Sequence, residues 1–339
     1  MTHCKNFCGI DLGGTKIELV VLSANGRELL RERKPTPQGD YGATLATIAA
    51  LVDEAEAVLG TFDAVGIGTP GAISKATGLM KNCNSTCLNG QPLLEDLEKM
   101  LSRPVRIAND ADCFALSEAT DGAAAGADTV FGVILGTGVG AGVVVRGQLL
   151  SGPNSIAGEW GHNPLPWPRD EERPGPACYC GRSGCIETFL SGPGLALSYQ
   201  SRVGWAGVSS PTQHLTAHSL GCDGAAAQPT VGIETVLSGP GRQLSAAEIA
   251  SLAEQGDPGC EAVMQVYEER LARALAHVIN ILDPHVIVLG GGLSNCERLY
   301  ENVPQLWGRH VFSDRVDTRL VPPRFGDSSG VRGAAWLWA

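Results

Sequence analysis

The chain has 339 residues, of which 43% are hydrophobic and only 5% aromatic, with a net charge of −11. That length allows two domains or one large two-lobed unit with a real core. The acidic balance argues against a nucleic-acid or anionic-membrane partner, although backbone N–H groups can still bind phosphate without a basic surface. Eleven cysteines without a secretory signal place the chain in a reducing, cytoplasmic setting. No apolar run has the length of a membrane span.

In chain order, Phe7–Asp11 reads as a strand, Leu12–Thr15 as a turn and Ile17–Leu22 as a second strand. Tyr41–Leu59 has helical spacing at Leu45, Ile48, Val52, Ala55 and Leu59. Ala64–Gly68 is a strand closed by Thr69-Pro70-Gly71. A helix over Pro92–Leu101, a strand over Val105–Ala108 and a helix over Ala111–Thr120 follow. A second cycle then begins. Val130–Leu135 is a strand, Gly136–Gly140 a turn and Gly142–Val145 a strand, echoing residues 7–22. The echo predicts two lobes, residues 1–122 and 123–339. Trp205–Gln243 is poor in charge and reads as an inserted loop, either a plain surface loop or a cover for substrate. Helices over Pro258–Leu282, near Cys296–Gly308 and over Ser329–Trp338 complete the chain, with a strand at Val286–Leu289.

Asp11-Leu12-Gly13-Gly14-Thr15-Lys16 is rich in potential phosphate donors, but a strand follows it where a Walker A loop needs a helix. Gly136-Thr137-Gly138-Val139-Gly140 is likewise followed by β-branched residues, which excludes a dinucleotide fingerprint. Each is a tight hairpin turn on its own. As a pair, one per lobe, they suit a nucleotide held between lobes. Gly290-Gly291-Gly292 fits either an adenosine platform or a permissive strand-to-helix turn. Asn109-Asp110 ends a strand, where Asp110 can be a general base or simply part of a helix cap.

Cys178, Cys180 and Cys185 lie within eight residues among glycines, and His162 is the nearest further ligand. Three thiolates and one imidazole are a zinc donor set. Glu159 and Glu187 flank the set, so a metal knot there would also position two carboxylates. Cys83 and Cys87 have no further His or Cys nearby, so a second metal site is not expected.

Together these segments resemble the ROK family of sugar kinases and repressors, over nearly the whole chain apart from the insert. Lys81–Pro92, Glu159–Trp167 and Gly326–Trp336 are similar to its fructokinase (mannofructokinase) branch. The resemblance implies an α/β, actin-like (ribonuclease H-like) two-lobed fold and an ATP-dependent hexose 6-kinase, with D-fructose as substrate. A glucokinase or N-acetylhexosamine kinase is the alternative. It implies ATP, Mg²⁺ and Zn²⁺ as cofactors and a homodimer. Asp110 matches the general base. Gly71, Asn109, Asp110, Glu159, His162 and Glu187 match sugar contacts, and His162 also matches a zinc ligand with Cys178, Cys180 and Cys185. Asp11 matches the acid that orients the magnesium–phosphate complex. Gly9, Gly13, Gly14, Thr15, Lys16, Gly136, Thr137, Gly138, Gly140, Gly290, Gly291 and Gly292 match nucleotide positions. A repressor would need a DNA-reading module before the first glycine loop, where only ten residues precede Asp11.

Overall fold

The computed structural model describes residues 6–83, 85–203 and 243–339. Asn84 and nearly all of the predicted insert lie outside the described residues. Two five-stranded sheets share one plan. In the first, β1 (Asn6–Leu12) pairs antiparallel with β2 (Lys16–Ser23), and β2 with β3 (Glu28–Pro35). On its other side β1 runs parallel to β4 (Val65–Thr69), and β4 to β7 (Val105–Asn109). A short hairpin, β5 (Ala72–Ile73) with β6 (Met80–Lys81), stands between them in sequence. In the second sheet β8 (Thr129–Leu135) pairs antiparallel with β9 (Val139–Val145), and β9 with β10 (Gln148–Leu149). β8 is parallel to β11 (Val286–Gly290), and β11 to β12 (Arg319–Val321). The two orders, β3-β2-β1-β4-β7 and β10-β9-β8-β11-β12, are the repeat expected from the echoing hairpins.

The central strands are near-continuous apolar runs because helices cover both faces. α1 (Tyr41–Leu59) starts where Asp40 accepts a hydrogen bond from the Ala43 amide at 2.9 Å, and buries Leu45, Ile48, Leu51, Val52 and Ala55. With α2 (Leu93–Leu101) it covers the outer face of the first sheet. α3 (Asp110–Thr120) leaves the end of β7 but packs on β8 and β9 of the second sheet. The outer face of the second sheet is covered by α4 (Ile186–Leu190), α5 (Gly192–Val203), α6 (Ala246–Glu254), α7 (Pro258–Leu282) and α8 (Arg298–Trp307). α9 (Ser329–Trp336) closes the chain, yet it packs on β1 and β4 of the first sheet and along α3. The resulting seam buries Phe7, Val20 and Leu22 with Phe114, Val130, Val286, Val331 and Trp336. Asp11 pairs with Gly68, and Thr69 with Asn109, so the carboxyl ends of β1, β4 and β7 line up at one edge. Gly290 beside Ile134 does the same for the second sheet. Ligands of open α/β sheets bind outside such strand ends.

Several elements differ from expectation. β3 carries ELLRERKP, a sequence without an apolar period, because it is an edge strand whose Arg31 and Arg33 pair with the buried Glu18 on β2. β9 begins at Val139, not Gly142, since Gly140 and Gly142 must lie flat under α3, where a Cβ at Gly142 would sit 2.8 Å from Asp112 Cα. α4, α5 and α6 were not anticipated. α6 is announced by a capping box between Ser245 and Glu248.

Candidate active site

The first glycine turn is tight. Gly13 donates to Lys16 O at 3.0 Å, and Thr36 braces the turn through its hydroxyl to Gly13 O at 2.7 Å. Gly14, Thr15 and the Lys16 stem face solvent. The Lys16 ammonium pairs with Glu18 at 3.2 Å, so part of its charge is already balanced. Gly9 is placed differently. It lies inside β1, where a Cβ would collide with the backbone of Val331 and Ala335, so its role is close passage of α9. In the second turn, Gly136 donates to Gly138 O at 3.0 Å and Thr137 is exposed. The Gly290–Gly292 turn adjoins it, since a Cβ on Gly291 would lie 2.5 Å from Leu135 O and 3.0 Å from Gly136 N. Gly290 instead passes under the Phe114 ring.

Asn109 and Asp110 make the start of α3. Asn109 Oδ1 accepts from the Ala111 amide at 2.9 Å, and Asp110 Oδ1 accepts from the same amide at 2.8 Å. Capping is therefore shared, and Asp110 keeps its other oxygen free for chemistry. Its carboxyl is open to solvent yet set deep among surrounding protein. Burial, and secondarily Glu159, raise its pKa above the ordinary carboxylate value. Asp11, half-buried beside Gly68 and Gly330, is pushed up to about 6, first by burial and then by Asp110 and Glu18. Gly71 fits closely against Cys83 and Lys81, where a Cβ would lie 2.7 Å from Lys81 O. Lys75 and Lys81, from the β5–β6 hairpin and its turn, reach across to the carbonyls of Gly152 and Asn154 at 2.7 and 3.4 Å. Those contacts tie the first half of the chain to the loop that leads into Glu159.

Glu159–His162 forms one turn of 3₁₀ helix. Asn163–Leu165 then runs beside Gly184–Ile186, with Leu165 donating to Gly184 O at 2.9 Å and Ile186 to Asn163 O at 2.8 Å. This short ladder brings His162 to Cys185. Cys178 donates to Arg182 O at 2.7 Å, closing a turn in which Gly181 has φ 84°, and Gly184 just beyond it has φ 71°, left-handed positions that suit glycine. The ligand atoms of His162, Cys178, Cys180 and Cys185 all lie within 4.8 Å of one another. His162 Nδ1 is 3.5 Å from Cys178 Sγ, and Cys180 Sγ is 3.6 Å from Cys185 Sγ. A tetrahedral zinc with bonds of about 2.0–2.3 Å needs ligand separations of roughly 3.5–3.8 Å. The donor set fits the metal. Glu187, one residue into α4, accepts from the Val139 amide at 2.9 Å and joins the knot to the second glycine turn. The loop ahead of the knot is pinned to α7 by Glu172, buried against Arg270 and Arg273 at 2.8 Å. The predicted site residues other than Gly9 thus gather at the strand ends or in the loops that adjoin them, Gly290 as the last residue of β11.

One residue was missed. Asp112 has a buried Oδ1 with no partner among the described residues, and its pKa is pushed up to about 7, first by burial and then by Asp110 and Glu159. The only sequence signal was a second acid in the first turn of a helix. A carboxyl whose folded pKa is raised stabilises fully when protonated, near pH 4 and below, and that stability is lost as pH rises through about 7. Asp112→Asn is therefore expected to stabilise the fold at pH 8 by about 2 kcal/mol, less than the full shift because the group is only half-buried. The gain should shrink toward pH 4 in thermal melts. A pH-independent change would contradict this.

The chain matches the ROK family model over residues 7–339. It is 37% identical over 335 residues to an N-acetyl-D-glucosamine kinase of Yersinia pseudotuberculosis, covering 98% of both chains. An N-acetyl-D-glucosamine kinase of Vibrio cholerae is 36% identical, with 98% of this chain and 99% of that one covered. Among solved structures, a ROK hexokinase from Thermus thermophilus superposes with a TM-score of 0.77 at 28% identity, covering 98% of this chain and 97% of that one. A ROK family glucokinase from Streptomyces griseus, in complex with glucose and AMPPNP, gives 0.71 at 26% identity and 98% of both chains. With a family model spanning almost all of its length, and both sheets carrying glycine turns at the strand ends, the chain belongs to the ROK family and has the actin-like two-lobed fold of its sugar kinases.

Proposed function

We propose that the protein transfers the γ-phosphoryl group of ATP to the 6-hydroxyl of a hexose. The observation that carries this is Asp110, a carboxylate at the start of α3 directly after the aligned carboxyl ends of β1, β4 and β7, whose pKa is raised by burial and by Glu159. Bound magnesium–ATP would supply the phosphoryl group and the cation that neutralises it. Asp110 accepts the proton of the attacking hydroxyl. Asn109, Glu159, His162, Glu187 and the loop at Gly71 orient the sugar. The backbone amides of Gly14, Thr15, Thr137 and Gly138, which the turns leave over, face the phosphates, and Gly291 and Gly292 flank the base. Asp11 orients the phosphate end. Closure of the two lobes, one built on each sheet with α9 joining the first, excludes water so that hydrolysis does not compete. Positioning and electrostatics supply most of the rate in such transfers.

Zinc on His162, Cys178, Cys180 and Cys185 has a structural role in this reading, holding Glu159 and Glu187 at the pocket. The preferred sugar is N-acetyl-D-glucosamine, supported by relatives that bear that activity over 98% of their length. Fructose is the second reading, supported by Lys81–Pro92 and Glu159–Trp167, which border the site. Sugar-dependent ADP release across a panel of hexoses tests the function.

A further inference from the structure

Tyr179 lies between two cysteines of the metal knot and is 79% exposed. A solvent-exposed tyrosine ordinarily has no fixed partner, but this one is pinned. Its hydroxyl is 2.9 Å from His162 Nε2, and its ring stands edge-on to the imidazole at 5.0 Å and 89°. The neighbouring backbone explains the placement. The turn from Cys178 to Arg182 directs both flanking thiols inward, so the intervening side chain is directed outward, over His162.

The chemistry of His162 gives the contact its meaning. Nδ1 faces Cys178 Sγ at 3.5 Å and belongs to the metal knot. A neutral imidazole that offers Nδ1 as a lone-pair donor carries its proton on Nε2. That N–H is then donated to the Tyr179 oxygen. The remaining phenolic O–H is left as a donor of its own. In the proposed reading Glu159, His162 and Glu187 stand together at the sugar pocket. The hydroxyl therefore sits on the one ring nitrogen through which His162 could address a sugar.

We propose that Tyr179 is a sugar-specificity residue, whose hydroxyl takes the place of His162 Nε2 as the group that meets a sugar hydroxyl, and whose ring limits the bulk of the substituent admitted at that edge. The proposal rests on the hexose-kinase reading and replaces its direct His162 contact with one made through Tyr179. It concerns binding, not phosphoryl transfer, so it acts through sugar KM and through the ratio between sugars. A site that hydrogen-bonds a hydroxyl discriminates by the polar groups an ill-fitting sugar leaves unpaired.

The test uses purified wild type, Tyr179→Phe and Tyr179→Ala. Metal content, the KM for ATP, and kcat/KM for fructose, glucose, N-acetylglucosamine and N-acetylmannosamine are measured for each. Tyr179→Phe keeps the ring and is expected to raise sugar KM by about tenfold, the worth of one hydrogen bond, with ATP KM and bound metal unchanged. Tyr179→Ala is expected to shift the kcat/KM ratio of N-acetylated to unsubstituted sugars upward by about tenfold or more, whichever sugar the wild type prefers. Unchanged sugar KM in Tyr179→Phe together with an unchanged ratio in Tyr179→Ala would overturn the proposal. So would loss of metal in step with loss of sugar affinity in Tyr179→Phe, since that would make Tyr179 part of the metal knot alone. A wild type inactive on every hexose would instead overturn the kinase reading on which the proposal rests.

Discussion

Asp110→Asn is expected to lower kcat by about 10²–10⁴-fold while leaving the fold and sugar affinity nearly intact, the usual cost of removing a general base. The structure explains why the fold should survive. Asn109 already caps α3 through the Ala111 amide at 2.9 Å, and an asparagine at 110 can still accept the second bond. What is lost is the anionic oxygen. In the wild type, activity should fall on acidification through the raised pKa of Asp110, because a protonated carboxyl cannot accept the substrate's proton. The variant should lose that acid limb along with its rate. Steady-state kinetics over pH, with sugar binding followed separately, would check both. Retention of more than half the wild-type kcat would show that another group serves as base.

Removing one donor of the proposed zinc set has the second large effect expected. Cys180→Ser leaves three donors on a loop whose turns depend on the knot. Structural zinc contributes about 10–16 kcal/mol in small metal-folded peptides. Here Glu172 with Arg270 and Arg273 still anchors the preceding loop, so unfolding should remain local to residues around 176–187. The consequence for the site is broader, because Glu187 bonds the Val139 amide and its displacement also frees the second glycine turn. Sugar affinity and nucleotide affinity should therefore fall together, by tenfold or more for each, with a lower Tm. Metal analysis of freshly purified, active protein should find one zinc per chain. Active protein without zinc would exclude this role.

Much of the frame was legible in the sequence because its signals are local. The bounds of α1 and α7 follow from apolar spacing, together with Asp40 and Asp257 as caps. The two hairpins are announced by glycine turns between β-branched runs. Other features depend on contacts far apart in sequence. β3 has the composition of a loop because its charges satisfy Glu18 on the neighbouring strand. The placement of α3 on the second sheet and α9 on the first cannot be read from either helix alone. Gly9 was matched to a nucleotide position by the family resemblance, whereas its need for no side chain comes from α9, more than three hundred residues away. The clustering of Cys178, Cys180 and Cys185 with His162 was legible from spacing, but the contact between His162 and Tyr179 was not, since a residue between two cysteines carries no signal of its own. Fructose followed from resemblance in short segments, and relatives over the full length carry a different sugar.

The proposed reaction is phosphorylation of a hexose at its 6-hydroxyl with Asp110 as base. The most direct measurement incubates wild type and Asp110→Asn with magnesium–ATP and each hexose in turn, recording ADP release and identifying the product by phosphorus NMR. The account predicts sugar-dependent ADP release by the wild type, one equivalent of hexose 6-phosphate per ADP, N-acetyl-D-glucosamine as the best substrate and fructose next in line, and almost none by the variant. A wild type that releases ADP at the same rate with and without sugar, or that phosphorylates a different hydroxyl, would contradict it.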